Sequence, residues 1–409
     1  MVSARLGAII ALTLAGITIT VAYDRSRDST SKVDTEATTT TAPTTTVAVT
    51  AVAPPSTVDI TSLTEETTPA EPPPVPAPGV SSGLTAGGSA RAVPVEDRSW
   101  RGSEQSVTFM FAGDSQFEGA VASQLAADPN TVLLPMAPVF EQADLSMVNL
   151  ETAITERGSP EPKEFTFRAP ATAFTALAAA GVDVVSMANN HGRDFGADGL
   201  QDTLAAIHTS GYPTVGIGGN ATEAYAPYRV TIKGQRIAVF GASRVIDSDL
   251  LGSWTASDTQ PGIASAYEGA PRERLLAEVR AARASSDTIV VYLHWGNERL
   301  ECPTGVQKVL ARELRDAGAD IIVGAHAHRV QGDGYLDGAF VAYGLGNFVW
   351  PRGDVGAVIE VKATGRVIEG YRWIPMSVNA SVPSPMDEAR VTEQVAEWEQ
   401  LRSCTDLSA

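Results

Sequence analysis

TIVVYLHWGNERLECPTGVQKVLARELRDAGADIIVGAHAH, residues 288–328, holds two short apolar runs on either side of a stretch with helical spacing. TIVVYLHWG and ADIIVGAH are apolar at consecutive positions, as strands buried on both faces of a sheet require. Between them, from Thr304, the residues Val306, Val309, Leu310, Leu314 and Ala317 fall on one stripe until Gly318 stops the helix. Strand, helix, strand in this order is the unit of an α/β domain. Each strand also ends in residues able to hold a ligand: His294 with Asn297 and Glu298 after the first, His326 and His328 after the second. Sites in open α/β sheets assemble at such strand ends.

The same texture extends in both directions. VTFMFAG, LSMVNLE, VDVVSMA, RIAVFGA and AFVAYGLGNF read as further strands, followed by VGAVIEVKA and RVIEGYRWI. Leu275, Leu276, Val279 and Ala282 mark a helix opened by Pro271, and residues 171–180 another closed by Gly181. After Pro375 the spacing predicts an irregular stretch and then an amphipathic segment over residues 387–402 on the domain edge. The expected organisation is a folded domain over residues 106–377 with a C-terminal tail and short helix over 378–409.

The residues before this domain read differently. The run LGAIIALTLAGITITVAY, residues 6–23, carries no charge and lies at the short end of the roughly 20 residues that span a bilayer. Residues 1–23 are therefore expected to be a membrane anchor, with a cleaved signal sequence as the alternative. Residues 24–105 are rich in Thr, Pro and Ala and lack the apolar side chains that offset ordering entropy, so they read as an extended disordered linker. The expected location is extracytoplasmic, tethered to the cell membrane, or secreted if the leader is cut. The chain of 409 residues has 30 Lys+Arg against 48 Asp+Glu, a net charge of −18, which excludes nucleic acid as a partner of choice. Its two cysteines, Cys302 and Cys404, are too few for a thiolate metal module but enough for one disulfide outside the cell.

Polar residues recur just past the apolar runs: Asp114, Asn149, Glu151, Asn189, Asn190, His191, His294, Glu298, His326, His328 and Asn347, with four of the five histidines among them. Singly, each has an ordinary reading. Asp114 suits a turn, Asn189-Asn190 a left-handed loop, and His294 a hydrogen-bonded core histidine. Asn149 and Glu151, two apart in an extended segment, point the same way, and a Glu ending a buried strand is costly unless paired or bound to metal. His326 and His328 have the same spacing and can converge. Together these oxygen and imidazole donors suit Mn, Fe or Zn, in about the number that two adjacent divalent ions sharing a carboxylate need.

In order along the chain, Gly113-Asp114, Asn149-Leu150-Glu151, Asn189-Asn190-His191, His294-Trp295-Gly296, the His326/His328 block and Gly346-Asn347-Phe348 resemble the CapA family of poly-γ-glutamate capsule synthesis proteins. That family is a branch of the calcineurin-like metallophosphoesterase superfamily, and the resemblance covers residues 107–373. It implies a single α/β domain built as a four-layer α/β/β/α sandwich, with a dinuclear metal site at the strand ends. Asp114 and His328 would hold the first ion, Asn190, His294 and His326 the second, with Glu151 bridging. His191 would be the general acid, and Asn149, Asn189, Glu298, Asn347 and Arg193 would lie on the substrate side or behind the ligands. Two departures from the superfamily stand out: Gln116 occupies the place of a usual His ligand, and Glu151 that of a bridging Asp.

Three functions fit this pattern. The chain is a metal-dependent hydrolase in polyglutamate synthesis or export, a non-catalytic accessory subunit that binds the polymer, or an envelope phosphoesterase unrelated to polyglutamate. The expected partners are an anionic polymer or a phosphoester, and a polyglutamate synthase complex in the membrane. A polyanionic ligand meets a polyanionic chain, so it needs local positive charge from metal or from Arg168, Arg193, Arg329 and Arg352.

Overall fold

The computed structural model describes residues 97–351 and 355–409, together with the backbone of Leu12–Leu14 and Ile17–Ile19, which pair antiparallel. Most of the expected anchor and most of the expected linker lie outside the described residues, as does Arg352. No helix among the described residues is long and apolar enough to cross a membrane.

Two large sheets are built from strands β1 (Val107–Ser115), β2 (Leu145–Leu150), β3 (Val184–Ser186), β4 (Thr214–Val215), β5 (Tyr228–Ile232), β6 (Gln235–Ser243) and β7 (Thr288–Trp295), continuing with β8 (Ile321–His326), β9 (Asp333–Leu336), β10 (Ala339–Ala342), β11 (Asn347–Val349), β12 (Val355–Thr364), β13 (Val367–Asn379) and β14 (Val382–Pro385). The first sheet runs β14-β13-β12-β1-β2-β3-β4 with β11 also beside β1, and the second β5-β6-β7-β8-β10-β9. The centre of each is parallel, β1 to β4 in one and β6, β7, β8 and β10 in the other, so their C-terminal ends gather on one side. The principal helices are α1 (Ala120–Ala127), α2 (Thr172–Ala179), α3 (Gly196–Ser210), α4 (Ala270–Arg283), α5 (Gly305–Ala317) and α6 (Glu388–Gln400).

Period-two alternation along the strands feeds three separate cores. Phe109, Phe111 and Met147 of the first sheet meet Val290, Tyr292, Val323 and Phe340 of the second. Met110, Ala112, Val148 and Leu150, on the other face, pack with Val121, Leu125, Phe174, Leu177 and Leu200 of α1, α2 and α3. Phe240, Val291 and Leu293 likewise pack with Leu275, Val279, Leu310 and Leu314 of α4 and α5. Full burial of each such side chain stabilises by about 1.5–3 kcal/mol, which accounts for strands without a polar face. The Tyr292 hydroxyl crosses between the sheets and donates to the Ala112 carbonyl at 2.6 Å, fixing β7 against the end of β1.

Several expectations are corrected. AFVAYGLGNF is not one strand: Ala339–Ala342 belongs to the second sheet and Asn347–Val349 to the first. The chain crosses at Gly344-Leu345-Gly346, where Gly346 takes φ 67° and Leu345 enters the core between the sheets. In α5 the buried stripe is Gln307, Leu310, Ala311, Leu314 and Ala317, while Val306 and Val309 are exposed. Gln307 turns the face because it closes a capping box with Thr304 and gives its buried amide to Gln331 Oε1 at 2.8 Å. VDVVSMA shortens to β3, and the stretch after Pro375 continues as the antiparallel pair β13 and β14.

Ordered structure also begins before the shift in composition. Within residues 97–105, placed in the linker by composition, Arg98 donates to the Arg315 carbonyl at 2.9 Å and Trp100 Nε1 to Asp287 at 2.9 Å. At the other end α6 sets Trp398 edge-on against Trp373, with ring centres 5.2 Å apart. Cys404 is then bonded to Cys302, and Ser408 pairs with Tyr335 on the edge strand β9.

Candidate metal centre

Register brings the ligand-capable residues together. Asp114, near the end of β1, stands opposite Asn149 on β2 and Asn347 on β11, while His294 stands opposite Ser243 on β6. The chain must pass very close to do this: a Cβ on Gly113 would lie 1.9 Å from the Gly346 carbonyl oxygen, the same oxygen that accepts from Asp114 N at 3.0 Å. His326 and His328 converge as their spacing suggests, but through left-handed backbone, with φ 92° and 52°. Such angles cost about 1–3 kcal/mol each at non-glycine residues and persist where the surroundings dictate them.

Asp114 accepts from Asn149 Nδ2 at 2.8 Å and from the His326 backbone N–H at 3.0 Å, and lies 3.1 Å from His328 Nδ1. His328 Nδ1 is also 2.8 Å from Asn347 Oδ1. Asn149 Nδ2 reaches His294 Nδ1 at 3.1 Å, which leaves the proton on His294 Nε2, facing Asn190 Oδ1 at 2.7 Å and Glu151 Oε1 at 3.3 Å. Behind them Asn189 donates to Asn149 Oδ1 and to the Leu150 carbonyl, and accepts from His191 N.

The electrostatics are unbalanced. Glu151 is fully buried and neither of its oxygens has a hydrogen bond, and His326 Nδ1 is buried in the same condition. Burial, then the charge of Asp114, pushes the Glu151 carboxyl well above its ordinary range. Burial also opposes ionisation of Asp114, but the His328 hydrogen bond and charge, with His294 and Asn149, outweigh it and hold the group well below the usual carboxylate range. His294 is held well below the ordinary imidazole value by burial and then His326, and His326 is lowered to about 4 by burial and then His328. His328 alone is raised, because the Asp114 hydrogen bond overcomes its burial. The neutral rings of His294 and His326 are in the protonation state that metal-ligating histidines adopt, and Glu151 would give up its proton to a cation placed beside it.

Donor atoms of Glu151, His294 and His326 lie within 4.8 Å of one another, and so do those of Asp114, Glu151 and His328. Glu151 is common to both groups. Glu298, although exposed, forms a third group with His326 and His328. Gln116 turns away: its side-chain oxygen accepts from Glu118 N at 2.6 Å. Arg193 also faces elsewhere, onto the Ser253 carbonyl, and Arg168 lies over the Phe195 ring.

His191 is held by residues that sequence reasoning missed. Its Nδ1 is 2.6 Å from Asp194 Oδ2 and its Nε2 is 3.8 Å from Glu151 Oε1. Asp194 accepts further from Lys163 Nζ at 2.9 Å and from Phe167 N at 2.6 Å, and Lys163 also donates to the Asn190 carbonyl. Phe167 stacks on the His191 ring with centres 4.1 Å apart. Burial lifts Asp194 to about 7 against the pull of Lys163, and burial, then Lys163, holds His191 well below its ordinary value. The signal for Asp194 was its place three residues after His191; Lys163 offered none.

A family model described as bacterial capsule synthesis protein PGA_cap matches residues 108–352. The PGA biosynthesis protein CapA of Bacillus subtilis (strain 168) is 27% identical over 294 residues, 69% of this chain and 75% of that protein. The capsule biosynthesis protein CapA of Bacillus anthracis is 30% identical over 238 residues, 57% and 56% of the two chains. A probable polyglutamine synthesis accessory protein of Mycobacterium tuberculosis is 31% identical over 210 residues, 50% of this chain and 55% of that protein. This chain therefore spans about half the length of the last two. Among solved structures, a hypothetical protein from Thermus thermophilus is similar with a TM-score of 0.42 and 16% identity, covering 66% of this chain and 99% of that one. A 5'-nucleotidase from Candida albicans gives 0.39 and 12%, covering 72% and 56%.

Proposed function

This chain belongs to the bacterial capsule synthesis protein family PGA_cap, and from that membership we propose that it acts on a γ-linked polyglutamate as a metal-dependent hydrolase during synthesis or export of the polymer. The observation that carries the proposal is Glu151, a fully buried carboxylate with no hydrogen bond, shared by two groups of donors. In this reading Asp114, His328 and Glu151 hold one divalent ion, and Glu151, Asn190, His294 and His326 the other. When bound, such a pair polarises the reacting bond and activates water as a nucleophile. The two sheets, with helices packed outside each, are read as a four-layer sandwich that presents this centre at the strand ends.

His191 is the proton donor. Asp194, itself fixed by Lys163, accepts a hydrogen bond from Nδ1–H and holds the ring so that Nε2 faces the Glu151 side; burial keeps the ring neutral at rest, so Nε2 would first take up a proton at the site and then pass it to the leaving group. Phe167, stacked on the ring, shields it from water. The mature protein is proposed to work outside the cytoplasm, tethered by residues 6–23; the Cys302–Cys404 bond supports an oxidising compartment.

One observation favours a second reading, an accessory subunit that binds the polymer without cutting it. Gln116, at a ligand position of the wider superfamily, serves a local turn and leaves the Asp114 side with fewer donors. Metal analysis of the purified full-length chain, with a generic aryl-phosphodiester and γ-linked glutamate oligomers as substrates, separates the two. About two transition metals and turnover that disappear together in His326→Ala support the hydrolase. A folded protein with polymer affinity, one ion or none, and no turnover leaves the accessory role.

A further inference from the structure

Beside the metal centre a cleft of about 560 Å³ opens between the loop after β6 and the loop after β7. Its volume is that of a small-molecule site. Arg244, Val245, Tyr267, Asn297, Val306 and His326 are among its walls. His326 belongs to the candidate metal centre as well, so a chain lying in the cleft is within reach of both that centre and Arg244.

Arg244 is built to receive an anion. Its backbone N–H donates to the His294 carbonyl at 2.7 Å, which fixes its origin relative to the metal ligands. Its guanidinium carbon lies over the Tyr267 ring, 3.8 Å from the centre, and its Nε is buried without a hydrogen-bond partner. The carboxylate it meets, Glu268 at 2.9 Å, is more than half exposed and also pairs with Arg272. A planar donor fork, held over that ring and only partly engaged, suits a carboxylate. The rest of the cleft suits the remainder of a glutamyl unit. Val245 and Val306 offer apolar contact to a methylene stem, and Asn297 is an amide exposed at the same wall. Glu298, the acidic wall residue, groups with His326 and His328 on the metal side.

We propose that this cleft is a subsite for a γ-linked glutamyl unit, in which Arg244 reads the free α-carboxylate while the adjoining amide is presented to the metal centre. The proposal rests on the polyglutamate reading above and adds to it the residue that recognises the polymer's repeating charge. Binding of γ-linked tetraglutamate, and of the same tetramer with its α-carboxylates converted to carboxamides, is measured by calorimetry on the manganese-loaded full chain. The wild type is expected to prefer the carboxylate form by at least tenfold. Arg244→Gln is expected to weaken it about 10- to 100-fold, the range of a charge-assisted hydrogen bond, and to abolish the preference. Metal content, measured alongside, stays at the wild-type value. Val306→Glu, at an exposed position where folding is not at stake, weakens the carboxylate form selectively.

Equal binding of the two tetramers by the wild type overturns the proposal and leaves the polyglutamate reading standing. So does Arg244→Gln that retains both metal and full affinity. A metal-loaded wild type that binds neither tetramer overturns both.

Discussion

Replacing Glu151 by Gln removes a buried ionisable carboxyl and changes little in shape, so it isolates what that group does. In the metal-free protein the carboxylate is fully buried beside Asp114 with no hydrogen bond, and leaving such a group unpaired costs about 1–3 kcal/mol or more. Its folded-state pKa is raised above the ordinary 4.5, so the native state binds more protons than the unfolded chain from that value upward. The contribution of Glu151 to the stability of the metal-free wild type therefore falls as pH rises above about 4.5, and comparison with the variant isolates it from the histidines. Glu151→Gln is relieved of that loss and should melt higher than the wild type at pH 7, by about 2–4 °C per kcal/mol. The difference should close as the pH falls toward 4.5. Metal reverses the order: at a thousandfold excess over Kd an ion stabilises by about 4 kcal/mol, and the variant should lose most of that. Scanning calorimetry in EDTA and in manganese, at several pH values, reads both effects. A metal-free variant that melts lower than the wild type at pH 7, with an undiminished manganese shift, would refute the argument, because Glu151 would then be satisfied by the protein alone.

Two further outcomes follow from the same geometry. Asp194→Asn keeps the metal ligands and replaces the carboxyl that orients His191 with an amide that can donate to Nδ1 and fix the other tautomer, so metal content should stay constant while phosphodiester turnover falls about 10²- to 10⁴-fold; parallel loss of metal would instead make Asp194 part of the ligand scaffold. Cys404→Ser opens a cross-link across a separation of 102 residues, worth at most about 4–5 kcal/mol in the chain-entropy account. The variant should unfold at lower denaturant, reductant should bring the wild type down to meet it, and a wild type indifferent to reductant would show that the bond carries no stability.

The clustering of these residues was largely legible because each polar block follows its own apolar strand, and parallel strands deliver their ends to one place. Glu151 is the clearest example: an acid ending a buried strand calls for an ion-pair partner or a metal before any contact is known. What escaped was set by tertiary partners. Lys163 sits in a loop with no periodicity, and only folding shows that it holds Asp194 and the Asn190 carbonyl. The glycines of Gly344-Leu345-Gly346 read as strand interior, since a crossing between sheets has the same apolar texture as a strand that stays in one. Val306 and Val309 fit the helical stripe of α5 and Gln307 did not, yet Gln307 goes inside because Gln331 waits there to bond its amide. The segment ahead of Ser106 looks like linker by composition, and a few side chains such as Arg98 and Trp100 are enough to tie it down.

The sign of the chain's charge bears on how a polyanion reaches this site. At a net −18 the protein repels an anionic oligomer at long range, whereas the attractive groups proposed above, the metal ions and Arg244, would act only at contact. Salt screens the first interaction more completely than the second, because the Debye length falls from about 20 Å to about 7 Å between roughly 0.02 and 0.2 M ionic strength, while the attractive groups are partly shielded from solvent. Association of γ-linked glutamate oligomers with the metal-loaded chain should therefore speed up as salt is added, the reverse of a ligand steered by a basic surface. Stopped-flow measurement of the association rate over that range decides the matter. A rate that falls with salt would mean that a positive field extends beyond the cleft, and recognition would then have to be assigned to surface arginines such as Arg168 and Arg329 instead of to the groups inside it.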